Sequence, residues 1–237
     1  MPLIFDSSPR TSTCRIVWSR DWEWSEQVGA HPHLIDIDSD ISPNGELQLD
    51  ALRNRPGVDP PLELILVSPL RRALRTAVAL QGANGGHAVP IRVEPRATEW
   101  LENSCDCGRP GSVIQREFGS ILGLHELGDG WWPKLSNEDS VELRSTSRTL
   151  SALAAGGREP AASVDHRVSQ LLHTLLYELP QGSIAVVAHC MVLHRLESML
   201  REQFSDECIA YRSTNGRAAG KVDYLGNTEV RSIAIAP

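Results

Sequence analysis

Several features that would assign this chain to a familiar class of protein are missing from it. No apolar stretch approaches the roughly 20 residues that a membrane-spanning helix needs. Residues 1–8 lack the basic start and long apolar middle of a signal peptide. The 23 lysines and arginines are dispersed through 237 residues with a net charge of −7, unlike a surface that binds nucleic acid or anionic membrane. We therefore expect a cytoplasmic protein without nucleic-acid or membrane partners.

Cysteine is also scarce, and its odd count argues against a disulfide framework. The chain has five cysteines, which fits a reduced protein better than a small secreted scaffold. Cys105 and Cys107 flank Asp106, but two sulfurs at this spacing need two further ligands to hold zinc. The sequence shows no such ligands nearby, so we predict no metal site and no cofactor.

Apolar runs and helical patterns alternate along most of the chain. With 41% hydrophobic residues, it can bury a full core. We predict a single α/β domain over 1–237, a three-layer sandwich with a mainly parallel central sheet, in which residues 1–12 form a loose N-terminal arm. The predicted strands are 15–19, 62–67, 89–93, 184–188 and 228–236, and the predicted helices begin at Ser42, Ser68, 141, 163 and 191.

The stretch 94–135 has no clean periodicity and interrupts this alternation. A loop-rich insertion of this length inside a compact domain is usually functional, so we expect it to cover a site. Six of the 12 aromatic residues are tryptophans, and loop tryptophans either line a pocket or anchor loops to the core. On the first interpretation Trp22, Trp24 and Trp132 contact a substrate.

Three predicted strand ends carry charged or titratable side chains. Arg20, Arg72 and His189 each follow an apolar strand, and open α/β sheets bind ligands at the carboxyl ends of their strands. Helix N-termini and arginine forks favour anions at such junctions. The same spacing is compatible with surface ion pairs and a core histidine, so by itself it leaves both interpretations open. Asp21 directly follows Arg20.

Motifs at these places resemble those of the histidine phosphatase superfamily, also called phosphoglycerate mutase-like. Residues 68–76 resemble its Ser-x-Leu-x-Arg-Ala-x-x-Thr helix, and residues 187–189 resemble its second histidine turn. Residues 36–48 resemble its Asp-x-x-Leu-Thr-x-x-Gly-x-x-Gln stretch, and residues 227–231 its closing strand. The Cys105-Asp106-x-Gly108 segment after Glu99 is similar to a fungal branch. The matches follow the family's order over nearly the whole chain.

The resemblance implies a phosphoglycerate mutase-like fold and a role for particular residues. It places the nucleophile position on Asp21 where the family has histidine, and it implies that His189 is the second histidine and Glu99 the proton donor. Glu102 is a weaker candidate for the donor. The substrate- or anion-binding positions that we infer are Arg20, Arg72, Trp22, Trp24, Gln27, Glu102 and Trp132.

Asp21 determines which reaction the sequence favours. A carboxylate facing a phosphate dianion is repelled by about 4 kcal/mol per pair of unit charges at 4 Å and an effective dielectric near 20. The leading hypothesis is therefore acid–base chemistry, of lyase, isomerase, cyclase or hydrolase type, on an anionic small molecule. A role in specialised metabolism would suit the resemblance to the fungal branch. The alternatives are a phosphomonoesterase or mutase with an unusual nucleophile, and a non-catalytic pseudophosphatase. The sequence leaves open whether the protein forms a homodimer.

Overall fold

A computed structural model describes most of the chain between residues 12 and 235. The described residues are 12–17, 37–54, 61–84, 88–119, 121–137, 145–179, 182–204, 209–213 and 230–235. In the strands at 12–17 and 209–213, and at 230–235 apart from Ile233, only the backbone is described.

The described strands form one mixed sheet. They are β1 Ser12–Val17, β2 Leu64–Val67, β3 Ile91–Val93, β4 Ile184–Val187, β5 Ile209–Ser213 and β6 Val230–Ile235. The described part of the sheet has six strands in the order β3-β2-β4-β1-β6-β5. The first four are mutually parallel, whereas β6 is antiparallel to both β1 and β5. The predicted α/β class with a mainly parallel sheet is confirmed.

Helices connect the parallel strands and cover the sheet. They are α1 Pro43–Arg53, α2 Arg71–Gly82, α3 Gly111–Phe118, α4 Thr146–Ala154, α5 Ala161–His173 and α6 Cys190–Gln203. A π-helical turn, Thr174–Glu178, extends α5. Helix α1 begins as predicted, since the Ser42 hydroxyl accepts a bond from the Gly45 N–H at 3.4 Å and Pro43 fills the first turn.

The strand order explains why helices lie on both faces of the sheet. Right-handed crossovers place a helix on one face when the chain moves one way across the sheet, and on the other face when it returns. The path β1 to β2 to β3 runs in one direction, and the path β3 to β4 runs back. Accordingly, α1 packs on α2, whereas α5 packs on α6. These contacts give the three layers that the sequence predicts.

Two hydrophobic clusters stabilise the described structure. The main cluster includes the apolar strands β2 and β4, whose residues Ile65–Val67 and Ala185–Val187 are completely buried. Such continuous apolar runs are expected of strands covered on both faces. A smaller cluster gathers Leu101, Cys107, Trp132, Leu135 and Leu153 beneath the segment that follows β3.

The segment 94–135 is more regular than its sequence suggests. It contains helix α3 and three single 3₁₀ turns at Pro95–Ala97, Ser104–Asp106 and Leu124–Glu126. An eight-residue helix is too short to produce a clear period in sequence. The sequence likewise does not predict strand β5, because a strand of five residues gives little signal.

Among the described residues, no helix is long and apolar enough to cross a membrane.

Gly111 at the start of α3 provides a test of this packing. A Cβ atom there would lie 2.0 Å from the backbone oxygen of Leu127, so the chain would have to move. We expect Gly111→Ala to lower the free energy of unfolding by about 1–3 kcal/mol, the usual cost of overpacking. Urea unfolding of Gly128→Ala is the matched control, since nothing lies within 4 Å of its added Cβ. Equal stabilities for the two variants would contradict the packing described here.

Candidate active site

The carboxyl ends of β2 and β4 bring Ser68 and His189 together. Val67 and Val187 are partners in the parallel ladder, and the Ser68 N–H donates to the Val187 carbonyl at 2.9 Å. Two residues beyond Val187, His189 is the N-cap of α6 and is 2% exposed. Its Nε2 lies 2.8 Å from the Ser68 hydroxyl oxygen.

This contact corrects the predicted role of Ser68. The sequence predicts a helix that begins at Ser68 and Pro69, with Ser68 as its cap. The helix begins instead at Arg71, and its N-cap Leu70 makes no side-chain capping bond. The Ser68 hydroxyl accepts only a long 3.4 Å bond from the Leu70 N–H, and its short contact is the one with His189.

Burial keeps the His189 imidazole neutral. Burial is the largest cause that lowers the pKa of His189 well below its usual value of 6.5, and the positive charges of Arg72 and Arg167 lower it further. A neutral imidazole has one donor and one acceptor nitrogen. His189 can therefore hydrogen-bond to a ligand oxygen, and an incoming anion would offset the charge of the arginines.

Arg72, the second residue of α2, is held from two directions. Its Nη1 donates to the Cys105 carbonyl at 2.8 Å, and its Nη2 donates to Asp106 Oδ1 at 2.9 Å. Burial opposes the charge of Arg72, but the negative charges of Asp106 and Glu99 outweigh burial and raise its pKa. The guanidinium is thus charged, fixed in direction and already paired with one carboxylate.

Glu99 has the properties of a proton donor. Burial, followed by the negative charge of Asp106, raises the pKa of Glu99 from 4.5 to about 7. One carboxylate oxygen accepts the Trp100 N–H at 2.9 Å. A carboxyl group with a pKa near the working pH is suited to general acid catalysis, because its protonated form is populated and still gives up the proton readily.

A buried ion pair positions the backbone on either side of Glu99. Arg167 of α5 bonds to both carboxylate oxygens of Glu159 at 2.8 and 3.0 Å. The same guanidinium donates to the carbonyls of Arg96, Thr98 and Glu99 at 2.8, 2.7 and 3.2 Å. These bonds fix the segment that leaves β3.

Glu159 completes this support through the residues after Glu99. Its carboxylate accepts the Leu101 N–H at 3.3 Å, and its carbonyl accepts the Trp100 indole N–H at 2.8 Å. The sequence contained one indication of this buried pair, because Arg167 interrupts the apolar helix face formed by Val164, Val168 and Leu171. Nothing in the sequence indicated that Glu159 is its partner.

Asp38 is a buried carboxyl at the start of α2. It is fully buried in a left-handed backbone conformation with φ of 48°. Its Oδ1 accepts the Arg71 N–H at 2.8 Å, whereas Oδ2 is buried without a hydrogen-bond partner among the described residues. Burial raises the pKa of Asp38 from 3.8 to about 6, although the Arg71 N–H and the charge of Arg72 oppose that rise.

Three comparisons with known proteins bear on this site. Residues 24–122 match the family model of the histidine phosphatase superfamily (branch 1). No curated protein matches the chain in sequence. Among solved structures, a mycobacterial glucosyl-3-phosphoglycerate phosphatase aligns with a TM-score of 0.50 at 19% identity, covering 95% of this chain and 91% of that one.

Two further solved structures align less closely. A mycobacterial hydrolase has a TM-score of 0.48 at 20% identity and covers 94% of this chain and 92% of its own. An α-ribazole phosphatase from Shigella flexneri has a TM-score of 0.44 at 18% identity, with 78% and 79% covered.

The fold is phosphoglycerate mutase-like. Together, the family model and the fold support a relation of this chain to the histidine phosphatase superfamily. The fungal branch and the replacement of the nucleophilic histidine by aspartate stay predictions.

Several predicted site residues of this phosphoglycerate mutase-like fold lie outside the described residues: Arg20, Asp21, Trp22, Trp24 and Gln27. The structure does describe the end of β1 at Val17, three residues before Arg20. Since β1 is parallel to β4, this strand ends at the same edge of the sheet as Val187. Among the described candidates, Arg72, Glu99 and His189 share one neighbourhood, because the charge of Arg72 affects the pKa of both other groups.

Trp132 and Glu102 lie differently from the predicted substrate contacts. Trp132 is fully buried in the smaller hydrophobic cluster, and its indole N–H donates to the Thr149 hydroxyl at 2.9 Å. This position does not fit the prediction that Trp132 contacts a substrate, and it matches the alternative of loop anchoring. Glu102 is exposed. In the described ranges no three His, Cys, Asp or Glu side chains gather as a metal site would require.

Removing Glu159 tests the support of the Glu99 segment. Glu159→Ala leaves the Arg167 guanidinium buried without its carboxylate, which typically costs about 3–5 kcal/mol in the free energy of unfolding. Glu202→Ala is the matched control, because Glu202 pairs with Arg195 while its side chain is 65% exposed, and such pairs contribute about 1 kcal/mol or less. Denaturant unfolding measures both. If both variants lost the same free energy of unfolding, the Arg167–Glu159 pair would not be the buried ion pair described here.

Asp38 predicts a particular pH dependence of stability. Its folded pKa of about 6 exceeds the ordinary 3.8, so between these two pH values the folded state binds a proton more readily than the unfolded chain. The wild type should therefore lose stability relative to Asp38→Asn as the pH rises from 3.8 to about 6, and regain it as the pH falls. Denaturant unfolding across this range, with the exposed Asp50→Asn as the charge control, tests this. Parallel curves would contradict it.

Proposed function

We propose that this protein is a phosphatase that hydrolyses phosphate monoesters of small anionic molecules. The observation that carries the proposal is the placement of Arg72, His189 and Glu99 in one neighbourhood at the carboxyl edge of the sheet. The family model supports it, and the similar mycobacterial structure is that of a glucosyl-3-phosphoglycerate phosphatase. These findings favour phosphate chemistry over the lyase or isomerase chemistry that the sequence placed first.

In the proposed reaction, the described residues bind the phosphoryl group and supply a proton. Arg72 attracts the phosphoryl oxygens, and the neutral His189 imidazole donates a hydrogen bond to one of them. Glu99 transfers its proton to the ester oxygen as the bond between that oxygen and phosphorus breaks. Because burial holds the pKa of Glu99 at about 7, the proton is available at neutral pH and is lost as the pH rises.

Asp21 is the proposed nucleophile. Its carboxylate oxygen attacks phosphorus, the alcohol departs with the proton of Glu99, and an acyl phosphate forms. Water then hydrolyses that intermediate while it gives a proton to the Glu99 carboxylate. This step releases inorganic phosphate and restores both the Asp21 carboxylate and the protonated Glu99. Aspartate forms such intermediates in other enzymes. The repulsion between two anions is the main obstacle, so the step depends on Arg20 and Arg72 to offset the charge.

A second candidate function rests on Asp21 itself. If Asp21 meets the neutral His189, the pair would suit proton transfer on a carboxylate or enolate substrate, with Arg72 as the anchor of the anionic group. On this alternative the phosphoryl-transfer machinery is lost and the anion pocket is kept. A non-catalytic pseudophosphatase is the third alternative, and it predicts turnover of neither class of substrate.

Turnover of an aryl phosphate and of small sugar phosphates tests the proposal. We expect hydrolysis by the wild type, with kcat/KM falling as the pH rises above about 7. Asp21→Ala should abolish it, and Glu99→Gln should reduce it at least about 100-fold, the usual range for losing a general acid. Glu126→Gln is the matched control, with a side chain that is 77% exposed.

Two outcomes would overturn the phosphatase proposal. One is hydrolysis that survives Asp21→Ala unchanged. The other is a wild type that turns over no phosphate ester while Asp21→His does, because the aspartate would then be what prevents phosphoryl transfer. The second outcome would favour acid–base chemistry on an anionic substrate.

A further inference from the structure

Asp106 is buried in the candidate site, yet the proposed reaction gives it no task. It ends the short turn Ser104–Asp106 and is 6% exposed. An aspartate at this depth is uncommon unless it is paired. Its pair is Arg72, whose Nη2 lies 2.9 Å from Asp106 Oδ1. The Arg72 Nη1 donates to the neighbouring Cys105 carbonyl at 2.8 Å, so two consecutive residues of one turn hold both ends of the guanidinium.

The turn that carries Asp106 is itself rigidly placed. A Cβ atom on Gly108 would lie 2.2 Å from the Trp131 ring, so the chain passes directly beneath that indole. The Trp131 indole N–H donates to the Arg109 carbonyl at 2.8 Å, and Cys107 is buried in the smaller hydrophobic cluster. These contacts fix the turn that carries Asp106. The position of Asp106 therefore sets the direction of the Arg72 guanidinium.

The charge of Asp106 also acts on Glu99. The charges that act on Glu99 are those of Asp106, Arg72 and Arg167. The two arginines favour its carboxylate, whereas Asp106 disfavours it because two neighbouring carboxylates resist ionising together. Burial raises the pKa of Asp106, although the charge of Arg72 and the hydrogen bonds from Arg72 and Cys105 oppose that rise. Of the three charges that act on Glu99, only that of Asp106 favours its protonated form, and burial acts in the same direction.

We propose that Asp106 is a positioning residue with two separable effects in one site: its hydrogen bond fixes the Arg72 guanidinium, and its carboxylate sets the electrostatic environment of Glu99. The inference rests on the proposed phosphatase function, since it explains how Arg72 and Glu99 serve one reaction. A single carboxylate thus links the anion-binding group to the proton donor.

Two substitutions separate the hydrogen bond from the charge. Asp106→Asn keeps an oxygen that can accept from Arg72 but removes the charge, whereas Asp106→Ala removes both. With Asn, we expect the alkaline limb of the kcat/KM profile to move down by about one pH unit, the size of shift that one neighbouring charge causes. The KM measured below pH 6 should stay near the wild-type value. With Ala, the limb should move similarly and the KM should rise about tenfold, as expected for a lost charge-assisted bond.

Asp165→Asn is the matched control for charge. Asp165 lies on α5, pairs with Arg195 at 2.6 Å, and its side chain is 49% exposed. This variant has the same net charge as Asp106→Asn and should leave the alkaline limb where it is. A merely structural role for Asp106 would lower stability in both Asp106 variants without moving the limb.

A direct titration of Glu99 distinguishes failure of this inference from failure of the proposed function. Carbon NMR of protein labelled at glutamate side-chain carboxyls, with Glu99→Gln to assign the signal, follows the protonation of Glu99 without any substrate. We expect the midpoint to fall in Asp106→Asn and to stay unchanged in Asp165→Asn. An unchanged midpoint in Asp106→Asn would overturn the inference. A lowered midpoint in an enzyme that hydrolyses no phosphate ester would sustain the charge effect and refute the phosphatase.

Discussion

The parallel pairing of β2 with β4 is the constraint on which the candidate site depends. Because Val67 lies opposite Val187, the residues that follow these strands must emerge side by side. Ser68 and His189 therefore meet at 2.8 Å although 121 positions separate them in the chain. Helix α2 begins at Arg71, three residues after Ser68, and carries Arg72. The Arg167–Glu159 pair fixes the segment of Glu99 at the same edge.

Burial at this edge has opposite effects on the two titratable groups that the proposed reaction needs. It raises the pKa of Glu99 and lowers the pKa of His189, because in both cases the neutral form is favoured. Near neutral pH the site thus holds a carboxyl that is partly protonated and an imidazole that is uncharged. Arg72 supplies the fixed positive charge, although the structure shows that charge already shared with Asp106.

The sequence predicted the framework of this site better than its internal contacts. Strand β4 and the position of His189 followed from a short apolar run that ends on one histidine, and α1 followed from Ser42 and Pro43. The role of Ser68 was mistaken, because a serine before Pro69 is typical of a helix cap and nothing local reveals a partner 121 positions away. The sequence alone could not show whether Trp132 lines a pocket or anchors a loop to the core, since burial depends on packing between distant segments.

A crystal structure with bound phosphate tests the central claim most directly. An oxyanion is expected at the carboxyl edge of the sheet, bonded to the His189 imidazole and the Arg72 guanidinium, with the Asp21 carboxylate facing phosphorus and the Glu99 carboxyl on the side of the departing oxygen. An Arg72 that stays bound only to Cys105 and Asp106, with no anion next to His189 at saturating phosphate, would contradict this expectation.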